Sequence, residues 1–294
     1  VSNPVSTSQR RQTEINNKDN NIGLYLREEV KLEETPWTVQ PQVRMDYFRS
    51  TREFLPAPRL AARYDLSDSF YLRGASGIYY QPPQPQETDR TYGNEKLKAP
   101  RAYHYTLGLG KDFREGSSRG WKGEFGIFWK ELDRLASRST ELVDRDGELV
   151  AENYNNKGRG RVQGAELQFN YDAQPWAFYL AYTLSKSIRW SPVEGVALSQ
   201  YDQTHNLNLQ GSYQLDNWKF ASRFRYVTGN PTTPVLGGIY DSDNDSYIPI
   251  RGEVYSERFD PFMQLDLRID RKFVYPTWIL SAYADLQNVT GYES

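Results

Sequence analysis

The chain has 294 residues, a formal net charge of −2 and no cysteine, which excludes disulfide and thiolate chemistry and gives no electrostatic reason to expect a nucleic-acid partner. Aromatic residues make up 14% of the chain, yet its mean hydropathy of −0.78 is that of a soluble protein. A membrane β-barrel reconciles the two facts, because its strands turn only every second side chain towards lipid. The sequence has no run of about 20 apolar residues of the kind that a membrane helix needs.

Residues 1–21 are polar and aperiodic, which predicts a surface loop. Beyond them, apolar side chains recur at every second position in about twelve runs, which predicts antiparallel strands. The predicted strand pairs lie at 22–32 and 37–47, 60–66 and 70–80, 103–109 and 121–129, 165–171 and 176–184, 207–215 and 218–226, and 263–269 and 278–286. Pro41 interrupts one strand and predicts a bulge or an edge. Pro56, Pro58 and Trp190 are assigned to loops.

The connections alternate between short turns within a pair and long loops between pairs. The longest loops are predicted at 133–161 and, over roughly thirty residues, after residue 226. The second is too long for a compact soluble domain unless it has a function. The turn within the third pair is predicted around 114–118. Short turns at one end and long loops at the other are typical of outer-membrane barrels.

An aromatic residue follows every short turn. The six are Trp37, Phe70, Trp121, Trp176, Trp218 and Trp278. Any one of them alone is explained as well by ordinary core packing. Six in the same position predict a girdle at the periplasmic interface, where amphipathic rings are favoured.

Several short segments, in order along the chain, resemble the C-terminal barrel of TonB-dependent outer-membrane receptors. They are Pro58-Arg-Leu60 with Arg63-Tyr64, Leu72-Arg-Gly-Ala-Ser-Gly-Ile-Tyr79 with Gln81-Pro-Pro, Gly164-Ala-Glu-Leu167, Tyr182-Thr-Leu-Ser185, His205-Asn-Leu-Asn-Leu209, Gly229-Asn-Pro231 and Leu265-Asp-Leu-Arg268. The resemblance covers nearly the whole chain, so that residues 1–294 are expected to form one domain. It implies an all-β transmembrane barrel of about 22 strands, of which this chain would supply about twelve.

The same resemblance implies location in the outer membrane and three kinds of partner. These are membrane lipid and lipopolysaccharide, the TonB energy-coupling protein acting through a plug that is not in this chain, and a nutrient of the siderophore, glycan or peptide class. Neither a cofactor nor a nucleic acid is expected. The chain is expected to be part of a longer protein that carries the plug, the earlier strands and a closing strand.

Two sets of side chains are candidates for functional roles. Charged residues predicted to face the lumen and the plug are Arg73, Glu166, Asp266, Arg268, Asp270 and Asp285. Residues predicted to contact the ligand, near the outer strand tips, are Tyr79, Tyr80, Gln81, Tyr154, Arg159, Arg161, Trp190, Arg251 and Tyr255. Aromatic and guanidinium groups of this kind hold sugars, siderophores and peptides. The plainer alternatives are charges that bind water, one another and the plug, and aromatics that form an outer girdle or loop packing.

Metal binding has weak support in the sequence. Asp241, Asp243 and Asp245 alternate in a loop and offer carboxylate oxygens to calcium, but the glycine expected in a helix-loop-helix calcium site is absent. A solvated polar loop is the simpler interpretation. His104 and His205 each lie on a predicted strand with no second ligand nearby, so no metal site is predicted.

Two other functional classes remain open. A small outer-membrane barrel enzyme would need a nucleophile and base at the rim, and Ser199, Asp202 and His205 are close in sequence, but they crowd one strand end. A structural or docking barrel in an envelope complex would lack the plug, which the upstream gene sequence would reveal.

The ends of the strand series carry a further prediction. Unpaired backbone groups are costly in hydrocarbon, so both edge strands need partners. Residues 22–32 and 278–286 are predicted not to pair with each other but with strands outside this sequence. A direct ladder between them would indicate a small closed barrel of twelve strands and would favour the enzyme.

Overall fold

The computed structural model describes residues 21–89, 93–114, 119–145 and 147–292. The surface loop predicted up to residue 21 and the turn predicted at 114–118 fall largely outside these ranges. Regular structure in the described ranges consists of β-strands. No helix among them is long and apolar enough to cross a membrane.

Twenty strands are formed in the described part of the chain. In chain order they are β1 (Asn21–Arg27), β2 (Val30–Lys31), β3 (Trp37–Phe48), β4 (Glu53–Asp65), β5 (Phe70–Tyr80), β6 (Arg101–Asp112), β7 (Gly120–Arg138), β8 (Leu142–Arg145), β9 (Glu148–Ala151), β10 (Tyr154–Ala173), β11 (Trp176–Ser191), β12 (Gly195–Leu198), β13 (His205–Leu215), β14 (Trp218–Val227), β15 (Pro231–Thr232), β16 (Val235–Asp241), β17 (Ser246–Arg251), β18 (Glu257–Arg258), β19 (Phe262–Val274) and β20 (Ile279–Leu286).

One antiparallel ladder forms the wall of the molecule. Its order is β1-β3-β4-β5-β6-β7-β10-β11-β13-β14-β19-β20, with β2 also on β3 and β12 also on β11. The short strands pair as β8-β9, β15-β18 and β16-β17 in the connections at one end. The prediction of about twelve up-and-down strands is therefore confirmed. β1 and β20 are the two ends of the order and do not pair with each other, so the small closed barrel is wrong.

Period-two alternation gives the wall two chemically different faces. The register aligns one apolar row across five strands, namely Phe169, Leu180, Leu209, Phe224 and Leu265. The row one position away consists of Gln168, Ala181, Asn208, Arg225 and Gln264. Because successive side chains point to opposite faces, the first row faces outward and the second faces the lumen.

The apolar side chains of the outward face are exposed rather than packed in a core. Leu24 is 73% exposed and Leu107 is 58% exposed. A small buried cluster of Phe48, Leu55 and Ala99, with Tyr80 packed against it, lies where the outer connections meet β3 and β4. Such a wall is stable only when its outward face meets hydrocarbon.

Pro41 lies opposite a break in the neighbouring strand. β3 pairs with β1 through Gln42 and with β2 through Val39, whereas the Glu28 N–H bonds to the Pro41 carbonyl across the gap. Proline cannot donate to a ladder, so the strand opposite it is interrupted at that point. The predicted irregularity is thus a break between β1 and β2.

Several loop assignments were wrong, because strands extend further at the long-loop end. Pro56 and Pro58 lie inside β4, and Trp190 lies inside β11. The predicted loop at 133–161 is largely β-structure, since β7 runs to Arg138 and β10 begins at Tyr154. The loop after β14 contains four short strands of its own, β15 to β18.

Candidate functional site: a cationic cavity at the long-loop rim

The three longest strands of the wall stand side by side. β7, β10 and β11 have 19, 20 and 16 residues, whereas about 9 to 11 residues suffice for a tilted strand to cross a membrane. Their ends therefore project well beyond the hydrocarbon. Hairpin β8-β9 connects β7 to β10 there, and β12 folds back on β11.

A cavity of about 730 Å³ opens between these projecting ends and the neighbouring connections. Segments from 81–87, 135–138, 154–159, 189–201 and 251–255 line it. Six of the nine residues predicted to contact ligand are in its lining: Gln81, Tyr154, Arg159, Trp190, Arg251 and Tyr255. The structure thus brings together side chains that are up to 174 positions apart in the sequence.

Positive charge dominates the lining. Four arginines line the cavity, Arg138, Arg159, Arg189 and Arg251, against two carboxylates, Glu87 and Glu194. None of the four arginines forms an ion pair with another described residue. The Arg189 Nη1 donates to the Ser187 hydroxyl and the Ile188 carbonyl, each at 3.0 Å. These guanidinium groups keep donors available for an anion or for planar acceptor groups.

One buried ion pair attaches the longest connection to the rim. Asp202 is 1% exposed and lies between β12 and β13, and Arg258 of β18 bonds to its carboxylate. The same guanidinium donates to the Asp202 carbonyl at 2.7 Å, the Gly229 carbonyl at 3.0 Å and the Thr204 hydroxyl at 3.0 Å. The Ser187 N–H also donates to the Asp202 carboxylate. This cluster, the Asp202–Arg258 lock, fixes the segment that carries Arg251 and Tyr255.

Tyr255 reaches across the cavity mouth from that segment. Its hydroxyl donates to the Gln200 side-chain oxygen at 3.3 Å, and its N–H bonds to the Thr233 hydroxyl at 3.1 Å. Its φ is 55°, in the left-handed region that is uncommon for a bulky residue. The lock and these contacts together place the Tyr255 ring at the cavity.

Three residues predicted to contact the ligand lie elsewhere. Tyr79 faces the lumen, stacked on His104 at 4.2 Å with the Arg59 guanidinium 4.0 Å from its ring. Tyr80 packs against the buried cluster of Phe48, Leu55 and Ala99. Arg161 is on the outward face, bonded to Glu131 at 2.9 Å.

Four of the residues predicted to face the lumen form ion pairs on β19 and its neighbouring strands. Arg268 binds Asp270 at 2.7 Å and approaches Asp285 at 3.8 Å. Asp266 binds Arg223 at 2.7 Å and accepts the Asn288 N–H at 3.0 Å.

The other two members of that set differ from each other. Arg73 binds Glu124 at 2.8 Å, whereas Glu166, opposite Thr183 and Gly126, is exposed. Five of the six charges are therefore engaged with neighbours on the wall. Only Glu166 is exposed without a neighbouring cation in the described contacts.

The aromatics that follow the short turns meet other rings at the same end of the wall. Trp37 contacts Tyr64 at 4.8 Å, Trp121 contacts Phe113 at 3.8 Å and Trp176 contacts Tyr213 at 4.5 Å, measured between ring centroids. Trp218 stacks on Phe220 at 6.4 Å and Trp278 on Tyr275 at 4.2 Å. Phe70 is opposite Lys111 in the register. Their role as a periplasmic girdle remains a proposal.

The acidic residues considered for calcium stabilise the β16-β17 turn. Asp241 accepts the Asn244 side chain at 2.8 Å and the Asp243 N–H at 3.1 Å, and these bonds hold the pKa of Asp241 below its usual value. Asp245 accepts the Tyr240 hydroxyl at 2.7 Å. Among the described residues no three acidic or histidine side chains are grouped to hold a metal ion.

Arg138, Arg189 and Tyr201 of the cavity lining escaped the sequence analysis. Arg189 was missed because its strand was assigned to end at 184, although the alternation continues to Ser191. Arg138 and Tyr201 lie in segments without apolar alternation, and no sequence signal distinguished them.

Comparison with known proteins agrees with this architecture. The family model of the TonB-dependent receptor-like β-barrel matches residues 2–289. Among solved structures, the outer membrane transporter YddB from Escherichia coli superposes with a TM-score of 0.66 at 15% identity, covering 93% of this chain and 42% of that protein. The FrpB iron transporter from Neisseria meningitidis superposes with a TM-score of 0.64 at 13% sequence identity, and the match covers 93% of this chain and 41% of that protein. The alcaligin outer membrane receptor FauA from Bordetella pertussis superposes with a TM-score of 0.62 at 16% sequence identity, and the match covers 92% of this chain and 42% of that protein.

The chain therefore spans about two fifths of the length of each of these structures. Their identities are low, so the superpositions establish the fold, and the family match over residues 2–289 establishes the family. The matched family model is that of a receptor barrel, and the similar structures are described as transporters or receptors rather than enzymes, which gives the barrel-enzyme alternative no support. From its strand ladder, its two-faced wall and this match, the chain belongs to the TonB-dependent receptor family, as a part of the β-barrel.

Proposed function

We propose that this chain is the later part of the barrel of a receptor that takes up a scarce nutrient by TonB-energised transport. The cationic rim cavity carries the proposal. It is formed by strand ends that project beyond the membrane, it is large enough for a small ligand, and its arginines have no described ion-pair partners. Lipid and lipopolysaccharide would surround the outward face, and a plug outside this chain would receive the pull of the energy-coupling protein.

The charge of the cavity favours an anionic ligand. Four arginines against two carboxylates raise the local concentration of anions and form charge-assisted hydrogen bonds to carboxylate, catecholate or phosphate oxygens. Two similar structures are described as an iron transporter and an alcaligin receptor, which supports the siderophore class over neutral glycans and peptides.

Binding to the purified full-length receptor tests the site. The probes are ferric chelates of graded negative charge, together with a neutral oligosaccharide and a neutral peptide. Replacing Arg189 or Arg251 by Gln is expected to weaken an anionic chelate about ten- to a hundredfold, the value of one charge-assisted bond. Arg271→Gln is the matched control, because Arg271 lies at the other end of the wall beside Trp218. Tightest binding of a neutral probe, with no loss in the arginine variants, would refute the anionic assignment.

Measurement of nutrient uptake distinguishes a transporter from a structural or docking barrel. A deletion strain is expected to lose growth on the chelate that binds, and wild-type uptake is expected to stop when the proton gradient is dissipated while binding persists. Growth and uptake that are indifferent to the deletion and to the gradient would favour a structural barrel.

A further inference from the structure

One carboxylate lies on the outward face of the wall, at the break between β1 and β2. β2 continues the register of β1 on β3, so that Glu28 is directly opposite Pro41 although the ladder is interrupted there. Arg27 donates to the Gln40 side-chain oxygen at 3.0 Å, and the Gln40 amide donates to Glu29 at 2.5 Å. Gln40 lines a cavity on the lumen side. Because the residues before and after it face the lumen, Glu28 faces outward, where it is exposed.

Glu28 lies well inside the hydrocarbon. Pro41, its partner in the register, is four residues along β3 from Trp37 at the short-turn end. Four residues span about 13 Å along a strand and about 10 Å across the bilayer after tilt. The apolar band of an outer-membrane barrel is about 25 Å tall. With the short turns at one edge of that band, the carboxylate is near its middle.

No other charged side chain of the described residues is at this depth on the outward face. Lys111 and Arg271 are at the level of the short turns. The other outward charges are at least ten residues further along their strands, at the outer end, as are Glu131 and Lys186. A charged group within hydrocarbon is costly, and it marks a place where a partner group of opposite charge is expected.

The described residues around Glu28 supply no cation. Its outward neighbours are all apolar, namely Leu26, Val30, Val39, Pro41 and Val43. The Glu28 N–H bonds to the Pro41 carbonyl at 3.1 Å, but proline has no N–H to return to the Glu28 carbonyl. The carboxylate and the incomplete ladder therefore occur at the same point. The side of Glu28 that remains open is the free edge of β1, which is one end of the strand order.

The free edge of β1 also limits what can lie beside Glu28. Unpaired backbone groups are costly in hydrocarbon, so a strand must pair with this edge. An outward side chain on such a strand is about 4.5 to 5.5 Å from the residue opposite, within reach of a glutamate. A second copy of the chain in the same orientation does not fit, because the described outward cations are at other depths.

We propose that the strand pairing with the free edge of β1 presents a lysine or arginine beside Glu28, forming an ion pair within the membrane. Such a pair offsets the cost of both charges in hydrocarbon. It also specifies the register of that strand, because a slip of one residue would turn the basic side chain into the lumen. The contact is independent of the proposed nutrient cavity, so each can fail without the other.

Stability of the full-length receptor in lipid vesicles tests the ion pair. Glu28→Gln should lower the folding equilibrium constant about a hundredfold, because its basic partner would be left alone in hydrocarbon. Ser222→Glu and Ser222→Gln are the matched controls. Ser222 is also on the outward face, four residues from Trp218 and opposite Leu267. There the glutamate variant should be the less stable of the two, since its carboxylate has no cation. A Glu28→Gln receptor at least as stable as the wild type would overturn the proposal.

The partner residue is identified in the full-length receptor itself. A structure of that protein should show a lysine or arginine nitrogen within about 4 Å of the Glu28 carboxylate, on the strand that pairs with β1. Glu28→Lys should destabilise the receptor by placing two cations together. Replacing the partner by glutamate in the same receptor should then restore stability. A strand without a basic side chain in reach of Glu28, or no recovery in the exchanged variant, would contradict the ion pair.

Discussion

Replacing Arg258 by Met should release the longest outer connection without unfolding the barrel. The side chain of Asp202 is 0% exposed, and that of Arg258 is 27% exposed. Methionine retains the apolar stem of arginine but removes every donor of the guanidinium. Among the described residues, the Asp202 carboxylate would then keep the Ser187 N–H and the Thr204 hydroxyl as its remaining partners.

The cost follows from leaving a buried carboxylate without its cation. Removing one partner of a buried ion pair costs about 3 to 5 kcal/mol of stability. The cost here is at the lower end of that range, because Arg258 is partly exposed and water can reach the carboxylate once the guanidinium is gone. We expect the free energy needed to detach segment 228–261 from the rim to fall by about 3 kcal/mol in the variant. This corresponds to about a hundredfold rise in the population of the detached state. The β13-β14-β19 ladder does not depend on these bonds and should stay protected.

Hydrogen exchange on the full-length receptor measures this directly. Peptides from 228–261 should exchange about a hundredfold faster in Arg258→Met, while peptides from β13 and β19 keep the wild-type rate. Arg251→Met is the control, because Arg251 is on the same segment and lacks a described ion pair. It should weaken the ligand and leave exchange unchanged. Unaltered exchange of 228–261 in Arg258→Met would refute the lock.

Two further predictions concern the wall. Leu209→Arg should cost roughly 2 to 4 kcal/mol of unfolding free energy in lipid vesicles, against far less for Gln168→Arg on the lumen face; equal costs would contradict the assignment of faces. In the full-length receptor, cysteines replacing Leu24 and Leu286 should stay unlinked under oxidant, because β1 and β20 are the two ends of the strand order and do not pair with each other. Cysteines replacing Leu209 and Phe224, which are opposite each other in the register, should cross-link. A Leu24–Leu286 cross-link would indicate a closed twelve-strand barrel.

The strands of the wall could be predicted from the sequence where one face meets lipid and the other meets water, because apolar and polar side chains then alternate. Leu180, Leu209 and Leu265 alternate with polar residues, and their predicted strands are correct. The contrast disappears beyond the membrane, because both faces of a projecting strand meet water. In the last part of β11, Lys186 interrupts the apolar row of the outward face, so Arg189 and Trp190 were not recognised as strand residues although the alternation continues to Ser191.

Pro56 and Pro58 were wrongly assigned to a loop for a different reason. Pro56 and Pro58 pair with β3, but the pairing of β4 with β5 begins only at Arg59. On the β5 side this part of β4 is therefore a local edge, where a missing N–H breaks no ladder bond. The Glu53 carboxylate at the start of β4 accepts the Ala99 N–H at 2.7 Å, so a loop covers the edge. A pattern read along one strand does not reveal where its neighbour begins.

Cavity and lock are linked by the energetics of like charges. Arg159, Arg189 and Arg251 line one cavity without described carboxylate partners, and holding them together without ligand costs electrostatic free energy. Arg251 is on the segment that the Asp202–Arg258 lock fixes to the rim, so the lock offsets that repulsion. An anion then meets donors that are already in place and avoids the cost of assembling them. Releasing the lock should consequently weaken the ligand even though Arg258 is not in the cavity lining.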